Sequence, residues 1–219
     1  MFISDELKKD LDVIEAYILN KGYLPDIPLE FRYDRGLVFQ AVASNPKNYE
    51  TIPRDNQLKD DIDLAILYAK GCNYLTTMPF TKTVLNSKKF TLEAVKCYFK
   101  FYNSCNFTED EDVIRATLDF TLNADEEELE GFKCWLWNYG VYEYKEFSKI
   151  AIDYLDMGRF YKKWYYCPWF LEDRDFILKL VSSEKQPEAF NWVLNNIGIT
   201  DKDFYKELLE AYYNSPLCL

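Results

Sequence analysis

Apolar residues recur at helical spacing along most of the chain. Leu7, Leu11, Ile14 and Ile18 fall on one face ahead of Gly22, and Ile62, Ala65, Ile66 and Ala69 on another ahead of Gly71. Phe90, Ala94, Cys97 and Phe101 repeat the pattern, as do Val113, Ala116, Thr117 and Phe120. Phe147, Ile150, Ala151 and Tyr154 precede Gly158, and Phe190, Val193, Leu194 and Ile197 precede Gly198. These periods predict an all-α fold of nine or ten helices, ten to fifteen residues long, packed as antiparallel pairs through short loops. Gly22, Gly71, Gly140, Gly158 and Gly198 each stand just past a periodic segment, where a helix exit needs left-handed backbone. Thr108 to Glu111 and Thr200 to Asp203 have capping-box spacing, and Pro187 suits a first helical position. Only residues 73 to 85 have a β-like composition, and Pro79 argues against a strand there.

A faint repeat runs through the first half. Asp34-Arg35-Gly36-Leu37-Val38-Phe39-Gln40-Ala41-Val42 is its clearest copy: a polar start, an apolar cluster, then Ala and Val. Asp61 to Ala69, Ser87 to Val95 and Glu109 to Thr117 are looser copies. This resembles the short helical repeats of some uncharacterised bacterial and amoebal proteins. The resemblance implies a curved helical stack over about the first 120 residues and no particular activity. The repeat is lost after residue 122, which predicts a helical-repeat half (1–122) and an aromatic-rich helical half (123–219).

Charge is concentrated in one segment. Residues 109 to 130 hold ten carboxylates: Glu109, Asp110, Glu111, Asp112, Asp119, Asp125, Glu126, Glu127, Glu128 and Glu130. Arg115 is their one cation, so ten negative charges and one positive leave −9 of the chain's net −11 in this segment. The next forty residues carry four of the five tryptophans and are mildly basic, with Lys133, Lys145, Lys149, Arg159, Lys162 and Lys163. A pI near 4.6 argues against direct nucleic-acid binding, which draws affinity from Lys and Arg, and favours basic protein partners.

The start of the chain lacks a charged, then apolar, secretory pattern, and no apolar run approaches a membrane span, so an intracellular, cytoplasmic protein is expected. The six cysteines have no regular spacing and read as free thiols.

The chain contains no histidine. That removes Ser-His-Asp and Cys-His nucleophilic centres and His-containing zinc sites, while scattered cysteines offer no four-thiolate alternative. Seven unclustered glycines make no phosphate loop. Asp110-Glu111-Asp112 begins like a calcium loop, but Arg115 and Thr121 stand where an EF-hand needs Gly and Glu. The Asp-x-Asp pairs 61/63, 173/175 and 201/203 all lie at expected helix starts, where carboxylates are favoured by the helix dipole. No metal, no cofactor and no enzymatic activity are therefore expected.

What remains is surface. Dipole complementarity accounts for about half of the ten acids. The rest point to electrostatic docking on a basic patch, since uncompensated like charges repel one another. Trp135 and Trp137 cannot share a helix face, and Trp164, Tyr165 and Tyr166 cannot all point inward, so some rings reach solvent or a partner. Trp135, Trp137, Tyr139, Trp164 and Trp169 are the candidate aromatic anchors beside the acidic segment. The leading expectation is an inhibitor-like protein that covers the nucleic-acid-binding surface of a nucleic-acid-processing partner. In composition it is similar to acidic phage anti-defence proteins, including anti-CRISPR proteins, and to nuclease-toxin immunity proteins. The alternative is a nucleotide or sugar pocket, or a carboxylate-based enzyme, in the aromatic half.

Overall fold

The computed structural model describes residues 6–72, 79–155, 164–183, 186 and 188–215. Gly158, Phe160, Tyr161, Pro187, Cys218 and most of the β-like stretch (73–78) lie outside the described residues. The fold is all-α: among the described residues there are ten α-helices of seven residues or more, one of four, and no strand. The chain divides into two compact units, Met1–Phe107 and Thr108–Leu219. That boundary precedes the 122/123 division expected from the repeat pattern.

The first unit contains α1 (Leu11–Leu19), α2 (Arg35–Ser44), α3 (Ile62–Gly71), α4 (Lys82–Leu85) and α5 (Lys88–Cys97), with several 3-10 turns between them. The second contains α6 (Glu111–Leu118), α7 (Glu126–Asn138), α8 (Lys145–Ala151), α9 (Arg174–Ser182), α10 (Ala189–Asn196) and α11 (Lys202–Tyr213). Apart from the four-residue α4, lengths of seven to thirteen residues replace the expected ten to fifteen, because 3-10 turns such as Pro46–Thr51 and Phe99–Ser104 take over much of the periodic pattern. Residues 79–85, where Pro79 argues against a strand, contribute helix α4, with the Thr81 side-chain oxygen accepting from the Val84 N–H as cap.

One frame recurs through the core. Taking the capping residue as zero, positions +3, +4, +7 and +8 are buried: Leu37, Val38, Ala41 and Val42 after Asp34, and Leu64, Ala65, Tyr68 and Ala69 after Asp61. Phe90, Thr91, Ala94 and Val95 follow Ser87 in the same frame, and Val113, Ile114, Thr117 and Leu118 follow Asp110. Four such positions span two turns of one face. The frame does not stop at residue 122. It returns as Phe147, Ser148, Ala151 and Ile152 after Tyr144, and as Phe176, Ile177, Leu180 and Val181 after Asp173.

The caps differ in detail from those expected. Asp110 and Asp201, not Thr108 and Thr200, accept the exposed N–H groups of α6 and α11. The reciprocal capping box is Asp125 with Glu128, at 2.8 and 3.1 Å. Among the described glycines only Gly140 adopts a left-handed backbone (φ 66°), at the exit of α7. At the exit of α1 that role falls to Lys21 (φ 63°). Gly71 is the last residue of α3, and its value is closeness: a Cβ there would meet Pro46 Cγ at 2.3 Å.

Polar groups fasten the first unit from inside. Buried Asn48 donates to the Gly22 and Ala41 carbonyls (both 2.9 Å) and accepts from the Leu24 N–H (2.8 Å). Lys59, only 2% exposed, donates to the Tyr49 carbonyl at 2.6 Å with its ammonium 4.1 Å from the Tyr49 ring centre. The Tyr49 hydroxyl returns a bond to the Lys59 carbonyl at 3.1 Å. Tyr49, Tyr68, Phe80, Phe90 and Phe101 form a chain of ring contacts between 4.6 and 6.2 Å around this clasp.

Candidate functional site

All candidate residues lie in the second unit. Nine of the ten carboxylates of the 109–130 segment are exposed and Asp110 is half-buried. Helix starts account for more of them than expected. Asp110 and Asp125 are caps, while Glu111, Asp112, Glu126, Glu127 and Glu128 occupy first turns, seven of the ten in all. The helix dipole stabilises each such carboxylate by about 0.3–1 kcal/mol. Glu109, Asp119 and Glu130 remain. Asp119 stands at the C-cap of α6, the end where a helix dipole disfavours an anion. Arg115 pairs with Glu111 at 2.8 Å and Glu130 with Lys133 at 3.4 Å. Glu109, Asp119, Asp125, Glu126, Glu127 and Glu128 make no ion pair among the described residues.

The five aromatic candidates separate. Trp135 and Trp164 are buried and belong to the core, so neither anchors a partner. The Trp164 indole N–H donates to the Tyr142 carbonyl (3.0 Å) and Ser148 Oγ (3.1 Å), and its ring meets Phe176 edge-on at 5.2 Å. Trp137 is 41% exposed and Tyr139 67%; Trp169 is half-buried. On α7 the residue two positions from an inward Trp135 must face out, as strand-free helical geometry requires. Glu130 and Trp137 are seven residues apart on the solvent side, so they stand roughly 10 Å apart along the same face of α7.

Trp169 has two grooves beside it. Its indole N–H donates to the Glu143 carbonyl at 2.9 Å, and its ring packs edge-on against Phe170 and Phe176, at 6.1 and 5.2 Å. One groove, about 530 Å³, is lined by Tyr142, Glu143, Tyr166, Cys167, Pro168 and Trp169. Burial, then the charge of Glu143, pushes the Tyr142 hydroxyl and the Cys167 thiol up, so both stay protonated at neutral pH. The other, about 540 Å³, is lined by Lys145, Lys149, Trp169, Glu172, Asp173, Arg174 and Asp175.

At the floor of that second groove Asp173 caps α9 through the Phe176 N–H (2.9 Å) and pairs with Lys145 (2.8 Å) and Lys149 (2.9 Å). Burial pushes its carboxyl up, but the two lysines and the backbone donor outweigh burial and hold it at about 2. Sequence reasoning saw Asp173 only as a helix start. Its lysine partners come from α8, a contact that no local spacing announces. Glu143 and Tyr166 were likewise not among the expected site residues, although a pocket in the aromatic half was the alternative expectation. The single hint was that Trp164, Tyr165 and Tyr166 could not all face inward.

The Asp-x-Asp pairs are spent on backbone. Asp61 accepts from the Asp63 and Leu64 N–H groups and from Arg35, and Asp201 accepts from the Asp203 and Phe204 N–H groups. No helix among the described residues is long and apolar enough to cross a membrane. No family model, no curated protein and no solved structure matches the chain.

Proposed function

We propose that the protein is a non-enzymatic docking module that binds a basic protein surface through the exposed face of residues 109–130 and the outer end of α7. The observation that carries this reading is the solvent face of α7. There a run of carboxylates continues, past Glu130, onto the exposed indole of Trp137 two turns later. Carboxylates steer a cationic partner into contact and an aromatic ring supplies desolvated area once contact is made. The charge balance of −9 in one segment, with only Arg115 inside it, supports the same reading. Asp119 adds to it, because an anion at a helix C-terminus lowers stability and is better explained by what it faces than by the helix. A partner whose basic surface normally holds nucleic acid fits this chemistry, with carboxylates occupying the place of phosphates.

The test uses Glu109→Lys, Asp119→Lys, Glu126→Lys and Glu127→Lys together. Asp110, Asp125 and Glu128 are spared because they cap helices. Wild type retained on beads should capture a basic, nucleic-acid-processing protein at low salt and release it at high salt. The quadruple variant should keep its far-UV circular dichroism and slow association with that partner by roughly tenfold or more. Salt-independent capture, or equal association rates, would refute the docking reading.

A further inference from the structure

The groove beside Trp169 has a chemical character that the docking face does not explain. Among its lining residues Glu143 carries the one formal charge, because Cys167 stays a neutral thiol. The Trp169 ring is held in place by its bond to the Glu143 carbonyl and by Phe170 and Phe176 behind it, so it presents a fixed aromatic wall. Tyr166, 80% exposed, stands on the rim, with Tyr165 edge-on to it at 5.5 Å. The buried Tyr142 side chain lies beside Glu143, whose negative charge, after burial, helps to keep the Tyr142 hydroxyl protonated.

We propose that the groove formed by Tyr142, Glu143, Tyr166 and Trp169 is a binding site for a trimethylammonium group. Aromatic faces attract a cation through their quadrupoles, and a neighbouring carboxylate adds charge complementarity without requiring a directed donor. A primary ammonium is a compact, strongly hydrated charge that would give up more of its water on entering an aromatic groove. Trimethylammonium has no donor and presents apolar methyl groups that carry its charge, matching rings plus one anion. A nucleotide phosphate would be repelled by Glu143, and a sugar would need several polar side chains for its hydroxyls. The neighbouring groove does not compete, since Lys145, Lys149 and Arg174 are balanced there by Glu172, Asp173 and Asp175.

The site can be tested on the full chain by titrating tetramethylammonium and choline, read by saturation-transfer NMR of the ligand methyl groups and by tryptophan fluorescence. Both cations should bind, with dissociation constants around the millimolar range expected for so few atoms. The neutral isostere 3,3-dimethylbutan-1-ol should bind about tenfold more weakly, and Glu143→Gln and Tyr166→Ala should each weaken choline binding by about three- to tenfold. Tyr166 is exposed enough that its variant should keep the wild-type circular dichroism. A trimethyllysine peptide, compared with the unmethylated one, separates a methylated protein tail from a free small cation as the source. No transfer to either cation, equal binding of the isostere, or unchanged affinity in both variants would overturn the proposal. The inference is independent of the docking face, so the quadruple lysine variant should bind choline as wild type does.

Discussion

Lys59 offers the sharpest energetic prediction. Burial holds its ammonium at about 8 in the folded protein, well below the 10.5 of a free lysine, with Glu50 only partly opposing that and Arg54 adding to it. The unfolded chain keeps this proton up to about pH 10.5, whereas the folded chain releases it near 8. Between those values the unfolded state binds more protons, so the Lys59 contribution to stability rises with pH. A shift of that size corresponds to a charge-burial cost of about 3 kcal/mol at pH 7, of which about 2 kcal/mol is recovered by pH 9.5. The cysteines act in the opposite sense. Burial raises the thiols of Cys72, Cys97 and Cys167, so their contribution is present below the unfolded thiol value and is lost as pH rises above it. Tyr49 and Tyr68, raised chiefly by burial, act likewise only once unfolded tyrosine ionises near 10. Lys59→Met keeps the apolar stem and removes the titration, leaving the thiols and phenols common to both proteins. Urea denaturation of both, followed by circular dichroism at pH 7 and 9.5, should therefore show wild type gaining about 2 kcal/mol relative to the variant. A stability difference that stays flat within about 0.5 kcal/mol across that range would refute the assignment of Lys59 as a buried, strained ammonium.

Three further outcomes follow from the geometry. Asp173→Asn keeps the α9 cap but loses both lysine pairs, and should cost about 2 kcal/mol at pH 7; because the Asp173 value is depressed, its contribution is present above about pH 4 and fades as pH falls towards 2, so wild type and variant should converge in acid denaturation. Asn48→Leu removes three buried backbone bonds and should lower stability by about 3 kcal/mol in thermal or urea unfolding, against near-neutrality if water replaces the amide. Gly140→Ala forces a side chain into left-handed backbone and should cost about 1 kcal/mol, while Gly131→Ala, mid-helix and with open space around it, should stabilise by a similar amount.

The candidate site was partly legible before any coordinates. Nine of the ten acids of 109–130 are exposed because charge is costly to bury, and their number near α6 and α7 starts follows from dipole physics that a sequence displays directly. Which tryptophans face out was not legible. Trp135 and Trp137 have the same composition around them, and only the packing of Phe132 against Trp135, at 5.2 Å, shows which of the two looks inward. The return of the frame after Tyr144 is not marked in the sequence, because no side chain caps that helix start; after Asp173 the cap is marked, but the burial of positions +3, +4, +7 and +8 depends on what packs against them.

The helical class, the presence of Asp, Ser or Thr caps near most helix starts and the charge asymmetry follow from the sequence directly. They depend on interactions within about one turn of chain, where residue type and spacing act directly. The division at Phe107/Thr108, the clasp of Lys59 on Tyr49, the paired lysines on Asp173 and the aromatic groove at Trp169 were decided only by the tertiary structure. Each joins residues ten or more positions apart, or depends on which of several similar rings is packed first. Such choices are made by competition for buried area, which a local pattern does not record.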